Sequence, residues 1–272
     1  MGKTVHRHPR QHPVLAQRSV GDSVALVTGG ARGIGDAIIA RLVADGATAF
    51  SLDKAAPEEA RPGVTYLAGD VTDEASVAAA FAAVDRLDIL VNNAGIQRVG
   101  LVGTVSFADF SAVVATHLHG FFLCASQAVP RMLAGGRGGS IVSIASTAAF
   151  VGLPGRGAYC AAKAGILGLT RALSLEVATA GIRVNAVAPG FTRTKFIDQG
   201  LADGSLREDW MLARVPMHRL AHVDEIAGAV RYLVGDDAAY MTGQTMVVDG
   251  GWIVQGIPDA PDWLQSPAVK GA

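Results

Sequence analysis

The chain has 272 residues, half of them hydrophobic and 6% aromatic, with a formal net charge of −1. That length allows one α/β domain with a large core. No basic excess suits nucleic acid, and no apolar run has the length of a bilayer span, so neither partner is expected.

Residues 1–21 read as a basic leader. It carries Lys3, Arg7, Arg10 and Arg18, with His6, His8 and His12, and no acid before Asp22. It lacks the apolar stretch of a signal peptide, and Pro9 and Pro13 oppose an amphipathic targeting helix. A loosely ordered arm is expected, with the histidines in solvent rather than on a metal. Cys124 and Cys160 have no C-x-x-C spacing and read as reduced thiols of a cytoplasmic protein.

Val24–Thr28 is a short apolar run and predicts a buried first strand. Asp36–Asp45 follows with helical spacing of Ile38, Ile39, Leu42 and Val43 and stops at Gly46. Strands are expected at 48–52, ending at Asp53, and at 64–67, leading to Asp70. A helix over 73–84 has Thr72 as its candidate N-cap. A strand at 87–91 runs into Asn92-Asn93-Ala94-Gly95. A long helix is expected over 107–133, then a strand at 140–144 with Ser146 just beyond it. A helix rich in Ala and Gly starts at Tyr159 and runs to Ala178. A strand at 183–187 closes at Pro189-Gly190. An irregular segment spans Phe191–Leu220, followed by a helix over 223–233 and a strand at 245–248. This alternation predicts one doubly wound, Rossmann-type domain over 22–251, with a parallel seven-stranded sheet and helices on both faces.

The polar motifs fall at strand carboxyl ends, where open α/β sheets bind ligands. Gly29, Gly33 and Gly35 lie between a strand and a helix. Their spacing is G-x-x-x-G-x-G, and it lets the backbone approach a pyrophosphate under the helix N-terminus. Asp53 stands 18 residues past Gly35, suited to the adenosine ribose hydroxyls. Beside a 2′-phosphate, its charge at ~4 Å costs about 4 kcal/mol at an effective ε near 20, which favours NAD over NADP. Arg32 and Lys54 oppose that preference, since both could reach a 2′-phosphate. Asp70 and Val71 could cover the adenine; Asp70 could equally be a helix-capping acid.

Tyr159 and Lys163 are four apart and share one helix face. Lowering a tyrosine pKa by ~2–3 units takes about 3–4 kcal/mol. An ammonium ~4 Å away supplies about that much at ε near 20. Ser146 can hold a substrate oxygen against the phenol. These groups, downstream of a dinucleotide turn, point to hydride transfer between a nicotinamide and a secondary alcohol or ketone.

The chain resembles the short-chain dehydrogenase/reductase family from about Asp22 to Gly251. The matching segments are TGGARGIG at 28–35, Asp53, DVT at 70–72, NNAG at 92–95, IVSIAS at 141–146, YCAAK at 159–163, RVNAVAPGFTRT at 183–194 and VDGG at 248–251. The resemblance implies Tyr159 as general acid/base, Lys163 holding the nicotinamide ribose and depressing the tyrosine pKa, and Ser146 binding the reacting oxygen. It implies a coenzyme pocket of Gly29, Arg32, Gly33, Ile34, Gly35, Asp53, Asp70, Val71, Asn92, Ala94, Gly95, Tyr159, Lys163, Pro189, Gly190, Thr192 and Thr194, with Thr194 facing the carboxamide. It also implies a homotetramer. One position departs from the pattern: His117 stands where the family has an asparagine that bends the long helix and offers a carbonyl to a proton-relaying water. His117 is thus either a titrating imidazole in the proton path or a packed ring.

Gln97, Val151, Leu153, Arg156 and Phe196 are the candidate substrate residues, with 191–220 as the lid. Arg98 or Arg156 could bind a carboxylate or hydroxyl. The tail 252–272, with Trp252, Ile257, Pro258, Pro261 and Trp263, is expected to dock on its own or a neighbouring subunit. Rival readings are an NADPH-linked reductase of 3-oxoacyl type and a dinucleotide-binding protein without catalysis. A sugar-nucleotide epimerase is disfavoured by the short region after Gly251.

Overall fold

The computed structural model describes residues 20–256. The leader histidines, and Ile257, Pro258, Pro261 and Trp263 of the tail, lie outside the described residues.

Seven strands form one parallel sheet: β1 (Val24–Thr28), β2 (Thr48–Asp53), β3 (Val64–Ala68), β4 (Ile89–Asn92), β5 (Gly139–Ile144), β6 (Ile182–Pro189) and β7 (Thr245–Val248). Their order is β3-β2-β1-β4-β5-β6-β7. The chain reverses direction across the sheet between β1 and β4, where Ala25 pairs with Ile89 and Val27 with Val91. That reversal opens a crevice at the carboxyl ends of both strands.

Alternate residues of each strand serve opposite layers. Ala25 and Val27 face α1 (Gly33–Ala44) and α8 (Val223–Val234), packing with Ile38, Ile39, Leu42, Ile226 and Val230. Full burial of such a side chain contributes about 2 kcal/mol. Arg231 Nε reaches Asp45 Oδ2 at 2.9 Å and ties α8 to the end of α1. On the other face, Leu26, Leu90 and Ile141 pack with Phe81 of α2 (Glu74–Ala82), Phe121 and Met132 of α4 (Gly120–Gly135), and Ile166 and Leu173 of α5 (Gly157–Val177).

Four local expectations change. Asp73, not Thr72, caps α2, its Oδ1 accepting from Ala75 N at 2.9 Å and Ser76 N at 3.4 Å. The long helix is interrupted: α3 (Phe107–Val114) and α4 are joined by a π-helical turn, Ala115–His119. Phe107–Gly135 is long and apolar enough by composition to cross a bilayer, contrary to the sequence reading. Its apolar residues Phe121, Cys124, Ala128 and Met132 are spent on the core. Finally, 191–220 is not wholly irregular, since it holds α6 (Lys195–Ala202) and α7 (Glu208–Leu212). Thr194 Oγ1 caps α6 by accepting from Ile197 N.

Candidate active site

The glycine-rich turn leaves β1 through Gly29, whose φ is +65°. A Cβ there would stand 2.8 Å from Ala94 Cα, so the backbone after β4 needs the missing side chain. Thr28 Oγ1 accepts from the amides of Asn93 and Ala94 at 3.0 and 3.1 Å. The Asn93 amide donates to Thr28 O and Gly29 O at 3.0 and 2.9 Å. Asn93 therefore clamps the two loops together. The sequence reading named Asn92, Ala94 and Gly95 but passed over Asn93, whose only signal was the doubled asparagine after a strand.

Gly33, Ile34 and Gly35 form the first turn of α1. Arg32 occupies the N-cap position with no capping hydrogen bond from its side chain. The first amides of a helix have no intrahelical acceptor. An uncapped helix start behind a glycine-rich turn fits a dinucleotide pyrophosphate.

Asp53 ends β2 beside this turn. Its Oδ2 accepts from Ala31 N and its Oδ1 from Ala55 N, both at 3.1 Å. Lys54, which could have served a 2′-phosphate, lies 2.8 Å from Asp70 Oδ2. Burial pushes the Asp70 carboxyl up, but Lys54 and Thr72 together hold it below its ordinary value. Asp70 Oδ1 accepts from Thr72 N at 3.0 Å, so it braces this loop rather than capping α2. Val71 is buried in the core against Gly120 and lines one small cavity with Thr28, Asn92 and Lys163. Arg32 is exposed.

α5 carries Tyr159 and Lys163. The Ser146 hydroxyl, beyond β5, accepts from Ala148 N at 3.1 Å and is near enough to the Tyr159 phenol to act on it. Lys163 is buried; its Nζ donates to Ile144 O at 2.6 Å and lies 5.4 Å from the Tyr159 ring centroid. Burial pushes the Lys163 pKa down to about 7. For Tyr159, burial raises the phenol pKa, while the neighbouring Ser146 hydroxyl and the Arg156 charge pull it down. The expected depression of the phenol by Lys163 is thus not what this geometry produces, because desolvation acts on both groups and outweighs it.

His117 sits in the π-helical turn, buried, with its ring 5.3 Å from that of Tyr159. Its Nε2 lies 2.8 Å from Ile96 O and 3.3 Å from Ile96 N. The shorter contact fits an Nε2–H donating to the carbonyl, which leaves Nδ1 as an acceptor. Burial, then the charge of Lys163, push the His117 pKa down to about 3. The titrating-imidazole reading therefore gives way to a packed, neutral ring. A Cβ on Gly95 would lie 2.3 Å from the ring, so Gly95 makes the room for it. Nδ1 of His117 and Oδ1 of Asn92 have no partner, and both residues line a cavity of about 10 Å³ with Thr116 and Lys163. That space is about one water in size.

Pro189 ends β6, and Gly190 N donates to Val248 O at 2.9 Å. Thr192 Oγ1 donates to Gly190 O at 3.2 Å, and the residue bridges to Ala221, so it braces the lid. Thr194 approaches the glycine turn, its Cγ2 standing 3.8 Å from where a Gly33 Cβ would be. Phe196 on α6 is exposed, and Lys195 pairs with Glu58 across the crevice mouth. Val151 and Leu153 are half-buried, and Gln97 Oε1 is buried without a partner. Phe191 stacks on Trp252 with centroids 5.2 Å apart, which seats the start of the tail on this same subunit. Cys124 and Cys160 are unpaired. No group of His, Cys, Asp or Glu among the described residues could hold a metal ion.

Residues 29–253 match the family described as enoyl-(acyl carrier protein) reductase. The 2-(R)-hydroxypropyl-CoM dehydrogenase of Xanthobacter autotrophicus is 39% identical over 246 residues, covering 84% of this chain and 98% of that protein. A 3-oxoacyl-[acyl-carrier-protein] reductase of Synechocystis is 37% identical over 257 residues, covering 85% of this chain and 97% of its own. Among solved structures, a protein of Agrobacterium tumefaciens described as a 2-deoxy-d-gluconate 3-dehydrogenase, with bound NADP, superposes with TM-score 0.82 at 36% identity, covering 87% of this chain and 98% of that one. The aldohexose dehydrogenase of Thermoplasma acidophilum gives 0.84 at 29% identity, covering 90% and 100%.

Proposed function

The chain belongs to the short-chain dehydrogenase/reductase family of oxidoreductases, and from that premise we propose that it is an NAD-dependent dehydrogenase of a secondary alcohol, reversible with the ketone. The observation that carries the chemistry is the juxtaposition of Ser146, the Tyr159 phenol and buried Lys163 beside the carboxyl end of β5. Gly29, Gly33–Gly35, Asp53, Asn92, Thr194 and Lys163 would hold the coenzyme. Its nicotinamide supplies the hydride acceptor. Ser146 positions the substrate oxygen. Tyr159 takes the hydroxyl proton in oxidation and returns it in reduction. Lys163, fixed on Ile144 O, would meet the nicotinamide ribose.

NAD is favoured because Asp53 is held beside the glycine-rich turn by two backbone amides, where it would meet the adenosine ribose, and Lys54 is engaged by Asp70. The second reading, an NADPH-linked reductase of 3-oxoacyl type, is favoured by the NADP in the Agrobacterium structure and by the Synechocystis relative. Initial rates with each coenzyme, over a panel of secondary alcohols and ketones, separate the two. A tenfold preference for the phosphorylated coenzyme overturns the NAD assignment.

A homotetramer is part of this proposal. A groove of about 710 Å³ lies on the outer faces of the π turn, α4 and α5, lined by Leu118, Phe122, Leu123 and Leu169 with Gly165 and Gly168 between them. Small residues beside half-buried leucines and exposed Phe122 suit helices of a second copy. Sedimentation equilibrium reads the assembly directly. The two unpaired cysteines support a cytoplasmic setting.

A further inference from the structure

Two arginines stand near the proposed reaction centre, and their surroundings differ. Arg98 is exposed; its Nε lies 3.2 Å from Asp109 Oδ1 and its Nη1 donates to Gln97 O. Arg156 is half-buried at the N-terminal end of α5, three residues before Tyr159, and makes no capping bond. The groups acting on its charge are the Tyr159 phenol and the Cys160 thiol, and neither is a carboxylate. Among the described residues no carboxylate pairs with it.

A partly desolvated guanidinium without a counter-charge is unfavourable, and proteins place one where an anion arrives. The surroundings narrow what arrives. Gly100 N donates to Gly155 O at 2.9 Å, which joins the loop before Arg156 to the segment 99–102. That segment presents Val99, Leu101 and Val102, all exposed and apolar. Arg156 is thus a cation at an apolar rim, and its charge reaches the phenol. Both side chains spring from one turn of helix, so a ligand touching both has its anionic group close to its reacting carbon.

We propose that Arg156 is the anion subsite of this enzyme, and that its substrate is a short hydroxy or oxo acid with a carboxylate or sulfonate a few bonds from the carbon that Tyr159 serves. The inference rests on the alcohol/ketone reading of Tyr159 and deepens it. Arg156 grips two anionic oxygens with its planar fork and fixes which face of the carbonyl meets the coenzyme. A long neutral acyl chain leaves this cation unpaired.

The test is calorimetric binding to the protein saturated with NADH, or with NADPH if that binds more tightly. The probes are acetoacetate, 2-oxopropanesulfonate and neutral methyl acetoacetate. Wild type is expected to bind one of the two anions at least about tenfold more tightly than the ester. The arm that wins tells carboxylate from sulfonate. Arg156→Gln should remove that advantage and leave ester binding within about twofold; Arg156→Lys should restore part of it, and Arg98→Gln should change nothing. Equal binding of ester and both anions by wild type overturns the proposal without any variant. So does an Arg156→Gln protein, folded by circular dichroism, that loses acid and ester affinity alike. Turnover of acetoacetate that survives Tyr159→Phe instead overturns the acid/base reading, while the binding result stands on its own.

Discussion

His117 meets the ring of Tyr159 edge-on, with centroids 5.3 Å apart and planes at 84°. The imidazole lies in the wall of the proposed reaction centre, yet burial and the neighbouring Lys163 push its pKa down to about 3. It is therefore neutral wherever the enzyme works, and its part is to hold Ile96 and support the phenol. His117→Asn should leave the pH-rate profile between about pH 5 and 9 unchanged in shape. Stability should respond instead. The folded pKa lies below that of a free imidazole, so the unfolded chain binds the extra proton between about pH 6.5 and 3. Wild type should lose about 2 kcal/mol more than His117→Asn between pH 6.5 and 5, measured by urea unfolding. An acidic limb of the activity profile that vanishes in the variant contradicts a neutral ring.

Lys163 gives the same linkage at the other end of the pH scale. Its pKa is pushed down from 10.5 to about 7 by burial. Between those values the unfolded chain binds the extra proton, so folding stability rises with pH. Relative to Lys163→Met, wild type should gain about 4 kcal/mol from pH 7 to pH 10 in coenzyme-free protein. The comparison cancels the lost hydrogen bond to Ile144 O, which does not depend on pH in the variant. A difference that stays flat means that Lys163 keeps an ordinary pKa.

Asp53 performs two tasks through one carboxylate. It accepts from Ala31 in the glycine-rich turn and faces the proposed ribose position. Asp53→Ser should weaken NAD binding by about tenfold, through the lost charge-assisted hydrogen bonds, and bring NADP to near parity. Asp53→Asn should keep more of the fold's stability than Asp53→Ser and relax the same discrimination. Coenzyme titrations followed by protein fluorescence read both effects. Unchanged discrimination in either variant removes Asp53 from coenzyme choice.

The parallel sheet was legible because each strand is a short apolar run and most helices keep an apolar stripe between turn signals. Gly29, Asp53, Ser146, Tyr159 and Lys163 were legible for a different reason: each is a residue type with special backbone or proton chemistry next to a strand end or on one helix face. The π turn at Ala115–His119 was hidden, since a shift in backbone hydrogen bonding leaves side-chain spacing almost intact. α6 and α7 were hidden because eight-residue and five-residue helices carry little periodicity. Thr72 and Asp73 are both good capping types, and only the loop geometry chooses between them. The direction of the Tyr159 shift depends on how much protein surrounds the phenol, and i,i+4 spacing says nothing about that.

The central claim is that Tyr159 exchanges a proton with a secondary alcohol while a bound nicotinamide exchanges hydride with it. The most direct measurement is absorbance of the reduced coenzyme during oxidation of a panel of secondary alcohols and hydroxy acids, by wild type and by Tyr159→Phe. The account predicts NAD-dependent turnover in wild type. It predicts a fall of at least about 10³-fold in kcat for Tyr159→Phe, with NAD affinity held within about threefold. A phenylalanine variant that turns over the same alcohol at a comparable rate would contradict it.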